Sequence, residues 1–441
     1  MAEFNRKIFI IGCGAVAQCS IPLILKYFNI APKKISIIDP LDVRTAINDY
    51  IKQGLQFEQT SIIKNNFSMI LAHYLKPGDL CIDLANEVDT LDILNWCQNH
   101  NVFYLNTCLN SWPNNEQYSA YKLYQIILKL KKQHQKNTTT AVLTHGANPG
   151  LISSFVKQGL IDAAHYFMQK TNKQREIERA LENANFSNLA YLLAIKTIHI
   201  TEIDSQTIST ESINKFCNTW SINEFISECT ADIEFAWGYH EKSHPPGAKI
   251  DNGNIFLPNK GLHSRLQSWI PHETFSGMII PHDETYTVAD YLSIAHTYRP
   301  TTLFVYKPCP AAQQLLKNFD SNKITYPEHV ITNEITDGGE RMGSLLINSS
   351  FSWWTGSLIS IQESNKLLPG HNATVMQVAA GILTALDFII ENPQKGICFP
   401  EDLDHQKVLK IAKPYLGNVI SKHVDWNIST DCLFNDYLLQ L

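Results

Sequence analysis

A tryptophan, a histidine and several glutamates in the middle of the chain are the first residues whose types and spacing could do chemistry. In the run Asn218-Thr-Trp-Ser-Ile-Asn-Glu-Phe-Ile-Ser-Glu228, Trp220, Glu224 and Glu228 recur about once per helical turn. That spacing predicts a helix with all three on one face. Glu202 ends a strand-like run, Thr197–Thr201, and Pro281-His-Asp-Glu284 follows another, Gly277–Ile280. An indole face attracts an alkylammonium group by about 0.5–2 kcal/mol, depending on desolvation. Carboxylates add charge-assisted hydrogen bonds to the same cation. Trp220, Glu202, Glu228 and Glu284, with His282 beside them, therefore form a candidate amine-binding set. Each has a plain structural alternative: a core tryptophan, solvated glutamates, a structural histidine.

A second set lies at the N-terminus. The apolar run Ile8–Ile11 leads into Gly12-Cys-Gly-Ala-Val-Ala17, a G-x-G-x-x-A turn, and then into a helical pattern. Gly12 permits the tight turn, Gly14 leaves room for a pyrophosphate, and Ala17 lets the helix pack closely on the strand. The backbone N–H groups at Ala15 and Val16 open the helix, where a phosphate is favoured. A following strand, Lys34–Ile38, ends in Asp39, an acid placed to accept both ribose hydroxyls of NAD and to repel the extra phosphate of NADP. The expected cofactor is NAD; a strand–helix turn without a ligand is the alternative.

These residues need a scaffold. From Met1 to about Gly150 strands and helices alternate: strands at Lys7–Ile11, Lys34–Ile38, Leu80–Leu84, Asn101–Asn106 and Thr140–Thr144, helices at Thr60–Leu75 and Thr90–Asn99. That alternation predicts an α/β Rossmann domain, a doubly wound parallel sheet. Asn86 and Thr107 then fall at the carboxyl edge of the sheet, where such folds bind ligands. In His145-Gly-Ala-Asn-Pro-Gly150, Pro149 suits the first position of a helix with Asn148 as its cap. Asn148 also lies at the cofactor edge and could face the nicotinamide.

Strand-like pieces at Thr197–Ile200, Ile233–Phe235, Gly277–Ile280, Thr302–Tyr306 and Ser344–Ile347 predict a second, α+β domain. Ser357 onward reads as its last strand. A long helix rich in small residues, Ala373–Asn392, is expected to pack back on the first domain, with Lys395–Leu441 as a short appendage. The resulting division is 1–148 for the cofactor, 149–371 for substrate binding and dimerisation, and 372–441 for the helical return.

Composition narrows the function classes. With 44% hydrophobic and 18% charged residues over 441 positions the chain has ample core. A net charge of −6 offers no global field for nucleic acid, and the basic run Lys129–Lys136 reads as a solvated helix face. The 10 cysteines include no C-x-x-C pair, so no zinc ribbon or thioredoxin motif is expected. Reduced cysteines, a strand almost at the first residue and no apolar run long enough to span a bilayer lead to the expectation of a soluble cytoplasmic protein. His240-Glu-Lys-Ser-His244 matches the H-E-x-x-H pattern of zinc proteases, but Pro245-Pro-Gly247 stops any helix there. A loop and no metal are expected.

Taken together, the motifs resemble the bacterial homospermidine synthase family, relatives of saccharopine dehydrogenase, over the whole chain. The resemblance is carried by Gly12–Gln18, His145–Gly150, Ile198–Glu202, Asn218–Ser221, Phe225–Glu228, Trp237–Lys242, His282 with Glu284, and Asn372–Thr374. It implies an NAD-dependent homodimeric enzyme that joins two putrescines into sym-homospermidine and releases ammonia, with spermidine as an alternative donor. Hydride would pass to NAD, an imine would exchange its amine, and the hydride would return. By the same resemblance Trp220 steers charged amines, Glu202, Glu228 and Glu284 anchor them, and Asn148 and His282 line the reaction centre. The chain departs from the family pattern at Asn110-Ser111, where glutamate and proline are expected, and near Pro310, where an acid is expected. Two other readings are an NAD(P)-dependent amine dehydrogenase of the saccharopine or carboxyspermidine type, and a non-enzymatic NAD-binding protein.

Overall fold

Ile8–Ile11, Ile35–Asp39 and Leu80–Asp83 are buried along their whole length, as unbroken apolar runs in a parallel sheet should be. The computed structural model describes residues 4–113, 119–133, 138–208, 216–317 and 328–441. They pack as two units: Met1–Leu151 with Val375–Tyr415, and Ile152–Thr374 with Leu416–Leu441.

The first unit is built on a seven-stranded sheet. Its order is Ile397–Cys398, Ala141–Val142, Phe103–Asn106, Leu80–Asp83, Ile8–Ile11, Ile35–Asp39 and Gln56–Gln59, and every pair is parallel. The expected α/β class appears, and four of the five expected strands fall within two residues of their expected ends; the fifth, at Thr140–Thr144, shortens to Ala141–Val142. Gln56–Gln59 has no apolar run to announce it, because it is a largely exposed edge strand. The helix expected from Thr60 starts only at Phe67. The Asn66 side chain explains the delay: it accepts the Ile63 N–H at 2.8 Å and donates to the Ser61 carbonyl at 2.9 Å, holding a loop instead of a helical turn.

The second unit is built on an eleven-stranded mixed sheet. Its central strand, Thr197–Asp204, runs parallel to Thr301–Lys307 on one side and antiparallel to Gly339–Ile347 on the other. Strand alternation divides the sheet's two faces. Ile203, Leu303, Val305 and Leu345 enter a hydrophobic core with Phe235, Ile279, Trp354 and Phe434. Their sequence neighbours Glu202, Asp204, Phe304 and Tyr306 face the other way, and the register sets Tyr306 beside Glu202.

Two sequence expectations change. Lys395–Leu441 is no appendage: Ile397–Cys398 completes the edge of the first sheet, Asn418–Val424 extends the second, and Leu438–Gln440 pairs with Arg265–Ile270. Helix Ala373–Glu391 is long and apolar enough to cross a bilayer by length and composition, contrary to the reading of the sequence. Its small residues make it a core helix, with 83% of its most apolar window buried. A Cβ at Gly381 would lie 2.0 Å from the Gly146 carbonyl oxygen, so helix and loop touch backbone to backbone. The His240–Gly247 segment is a loop, as its prolines require. The basic run lies on helix Ala120–Gln133 up to Gln133; its remainder falls outside the described residues.

Candidate active site

In the first unit the carboxyl ends of the parallel strands gather Gly12, Asp39, Asn86, Thr107 and the His145–Gly150 loop along one edge. Gly12 has φ +88°, and a Cβ there would meet the backbone of Leu84 and Ala85 at 3.0 Å. Gly14 differs: it precedes helix Ala15–Phe28, and a Cβ on it would find nothing within 4 Å. The first turn of that helix carries no acidic side chain. Open space before a helix N-terminus free of negative charge suits a pyrophosphate. Asp39 is drawn to this loop, its carboxylate accepting the Cys13 N–H at 2.7 Å and the Leu41 N–H at 2.8 Å. Two more lone-pair sites remain on it for ribose hydroxyls. The residues present therefore fit a dinucleotide.

Asn148 sits in this unit, ahead of the N-cap position of the helix that follows. The Gly146 N–H donates to the Pro149 carbonyl at 2.7 Å, and the Leu151 N–H to the Gly146 carbonyl at 3.1 Å. Gly150 adopts φ +130°, so the chain makes a closed turn and the helix begins only at Leu151. Buried His145 secures the turn through a 3.0 Å hydrogen bond between Nε2 and Thr384 Oγ1. Burial pushes its imidazole down to about 3, so it is neutral.

The second unit holds the other five candidates. Trp220 does not share the helix with Glu224 and Glu228. Ser221 caps that helix, Ile222–Thr230, by accepting the Glu224 N–H, and Trp220 lies in the bend before it. With serine at the N-cap the helix begins at Ile222, two residues after the tryptophan. The indole is fixed by other means: its Nε1–H donates to the Tyr306 hydroxyl at 3.0 Å, and its ring meets Phe225 edge-on at 5.8 Å. Glu202 lies within strand Thr197–Asp204, which runs past the expected end, and is 5% exposed.

His282 sits at the N-cap position of helix Asp283–Leu292, without a side-chain capping bond, and is held between two carboxylates. Its Nδ1 bonds to Glu284 Oε2, and its Nε2 lies 3.7 Å from Glu228 Oε1. Its ring centroid is 4.7 Å from that of Phe304, which stacks at 5.6 Å on Tyr306. Burial alone would lower the imidazole, but Glu284, Glu228 and Asp283 outweigh it and hold it up at about 10. Burial raises Glu228 to about 8; His282 opposes the rise, while Glu224, Glu284 and Glu202 add to it.

Asp204 and Glu340, not singled out in the sequence, join this face, each 1% exposed. Asp204 accepts the Thr219 hydroxyl at 2.5 Å and the Gln206 N–H at 2.9 Å; Glu340 accepts the Thr374 hydroxyl at 2.7 Å. Burial raises both carboxyls, and for Glu340 the neighbouring Asp204 and Glu202 raise it further. Asn372 donates to the Thr219 and Ile331 carbonyls at 2.7 and 2.8 Å, so the Asn372-Ala-Thr374 motif anchors the segment that carries Trp220. Alternation along the strand from Glu202 could have flagged Asp204. Nothing local could have flagged Tyr306 or Glu340, which arrive by strand pairing. Several buried carboxylates facing one imidazole leave surplus negative charge, which is costly unless protons or cations join it. Of the two departures, Asn110 Nδ2 bonds to Cys108 Sγ at 3.2 Å, and Pro310 opens helix Pro310–Leu316.

The rejected H-E-x-x-H residues have structural work. Glu241 accepts the Thr301 hydroxyl at 2.7 Å and the Phe434 N–H at 3.1 Å, while His240 Nε2 lies 3.0 Å from the Cys432 carbonyl. They hold the C-terminal segment. None of the ten cysteines forms a disulfide, and only Cys108 is partly exposed.

Residues 8–142 match the family described as the saccharopine dehydrogenase NADP binding domain, and residues 146–424 the saccharopine dehydrogenase C-terminal domain. Homospermidine synthases from Mesorhizobium japonicum and Blastochloris viridis are 30% and 31% identical to the chain, over 96% of it and 91% and 92% of themselves. The chain belongs to the homospermidine synthase family. The homospermidine synthase of Legionella pneumophila, solved in complex with NAD, is 32% identical and superimposes with a TM-score of 0.88 over 99% of this chain and 98% of its own. The apo saccharopine dehydrogenase of Saccharomyces cerevisiae shares the fold, with a TM-score of 0.53 at 10% identity over 95% of this chain and all of its own.

Proposed function

We propose that this homospermidine synthase family member transfers an aminobutyl group from putrescine or spermidine to putrescine, giving sym-homospermidine and ammonia or diaminopropane, with NAD as cofactor. The observation that carries the reading is the surplus of buried carboxylates around Trp220 and Tyr306, which suits a substrate with two ammonium ends. NAD supplies a hydride acceptor and, later in the same cycle, the donor. Gly14, Ala15 and Val16 would hold its phosphates and Asp39 its riboses, with Asn86, Thr107 and Asn148 along the cofactor edge. Asp39 favours NAD over NADP, although the matching domain family is named for NADP.

Trp220 offers its face to an ammonium, and Glu202 and Glu228 take charge-assisted hydrogen bonds from it. Loss of hydride from a carbon needs a free lone pair on its nitrogen, whereas an alkylammonium titrates near lysine, about 10.4. Glu228, half ionised near pH 8, takes that proton beside the charged His282, while the distal ammonium stays charged against Glu202. The second amine attacks the oxidised carbon, the first leaves as ammonia, and the hydride returns, so one putrescine aminobutyl group gains a new C–N bond and loses its old one. The enzyme works as a cytoplasmic homodimer, with the first unit holding cofactor and the second holding amine.

Incubation of the purified protein with putrescine and catalytic NAD tests this. Homospermidine should form with no accumulation of NADH. Net NADH would mean an amine dehydrogenase, and NAD binding without conversion would mean a binding protein. Light scattering reads the dimer.

A further inference from the structure

Glu284 cannot touch an amine where it lies. It is 0% exposed, one oxygen is bonded to His282 Nδ1, and the other has no hydrogen-bond partner among the described residues. His282 is 11% exposed at its side chain and Glu228 is 21% exposed. The three therefore run from the most to the least buried: a closed carboxylate, an imidazole in contact with it, and a partly exposed glutamate side chain. The N-cap position and first turn of helix Asp283–Leu292 supply the inner two, helix Ile222–Thr230 the outer one, and Phe304 on strand Thr301–Lys307 packs on the ring between them.

We infer that Glu284 is a positioning residue and not an ammonium anchor: it accepts the hydrogen bond from the His282 Nδ1–H and fixes the ring so that Nε2 faces Glu228. The inference rests on the proposed reaction only for its kinetic consequence. The physical reason is hydrogen-bond direction. A carboxylate only accepts, so Nδ1 must carry hydrogen and the ring plane is set by that bond. Nε2 is then the atom left to exchange a proton with Glu228. The charged groups that bear on the array are Asp283 beside His282, Glu224 on the helix of Glu228, and Glu202 from the central strand. None is cationic, so replacing Glu284 by a neutral residue removes the strongest support for a charged imidazole.

The test is Glu284→Gln, which can still accept the Nδ1–H but carries no charge, with Glu284→Asp as the charge-retaining partner. Nitrogen-15 NMR of His282 without amine should show an imidazole still doubly protonated at pH 8 in the wild type. Its midpoint should fall by about two units in Glu284→Gln and recover by more than half in Glu284→Asp. In turnover, Glu284→Gln should lower kcat about 10- to 100-fold and move the alkaline limb of the pH profile, with the putrescine KM changed less than about threefold. An unchanged His282 midpoint, or a putrescine KM raised tenfold or more at normal kcat, would overturn the inference and make Glu284 an anchor. The NMR midpoint decides even if no homospermidine forms, so failure of the proposed reaction and failure of the positioning role give different results. Should Glu284→Gln fail to fold, the Glu284→Asp midpoint alone decides: a midpoint equal to that of His282 in free peptides counts against the inference.

Discussion

A methyl group added at Gly12 and one added at Gly14 meet different surroundings, and the difference separates folding from binding. At Gly12 it would press on the backbone of Leu84 and Ala85 at 3.0 Å in a left-handed conformation, so Gly12→Ala should destabilise the first unit by about 1–3 kcal/mol. At Gly14 it would meet nothing within 4 Å, so Gly14→Ala should leave the melting temperature unchanged and weaken NAD binding at least tenfold. Calorimetric titration and a thermal melt of both variants read this, and equal NAD affinity in Gly14→Ala would show that no phosphate approaches there. Tyr306 offers a second single-atom test. Its hydroxyl accepts the indole hydrogen of Trp220, so Tyr306→Phe should keep the fold, loosen the indole and raise the putrescine KM about 5- to 20-fold while NAD affinity holds. An unchanged KM would mean that Phe225 alone fixes the ring. Trp220, Glu228 and His282 stood out in the sequence because their types are rare together. Tyr306, Asp204 and Glu340 did not, because a tyrosine ending an apolar run and an acid after a glycine look ordinary until the register of three strands sets them on one face.

At the scale of elements, the buried strands of the first sheet were legible because parallel strands covered on both faces must be apolar throughout. Strands at Gln56–Gln59 and Lys249–Asp251 were not, since exposed edges carry no such constraint. The loop at His240–Glu241 was readable as a loop, but its purpose depends on a segment nearly two hundred positions further on. Its energetics give a pH prediction. Burial raises the Glu241 carboxyl to about 7, against 4.5 when free. Its folded value lies above its unfolded one, so its contribution is fully present below about pH 4.5 and is lost as pH rises through 7. Opening of the C-terminal segment should therefore become easier by up to ~3 kcal/mol between pH 5 and pH 8. Hydrogen exchange at the Phe434 amide reads that opening. In Glu241→Gln, where the amide oxygen keeps the bonds from Thr301 and Phe434 without a charge, the protection should stay level across the same range. A wild type with level protection would show that Glu241 does not change charge over this range.

For the whole molecule the proposed function implies a division of labour between two chemistries. The first unit has the loop, the helix end and the acid of a nicotinamide dehydrogenase, and a dehydrogenase of this kind releases reduced cofactor. The second has an aromatic and carboxylate face suited to ammonium groups, and an amine site alone cannot make or break a C–N bond at a saturated carbon. Joined in one chain they permit a cycle in which oxidation serves only to make the carbon electrophilic, and reduction closes it again. That economy holds only if the same hydride returns. With putrescine deuterated at both amine-bearing carbons and unlabelled NADH added in excess, the homospermidine formed should keep its full deuterium content by mass spectrometry. A product lacking one deuterium would show that reduced cofactor exchanges with the pool between the two transfers, and the chain would then be a dehydrogenase and a reductase in succession. Retention of label together with loss of turnover in Trp220→Ala, at unchanged NAD affinity, would place the amine-steering step on the second unit's aromatic face and the hydride store in the first.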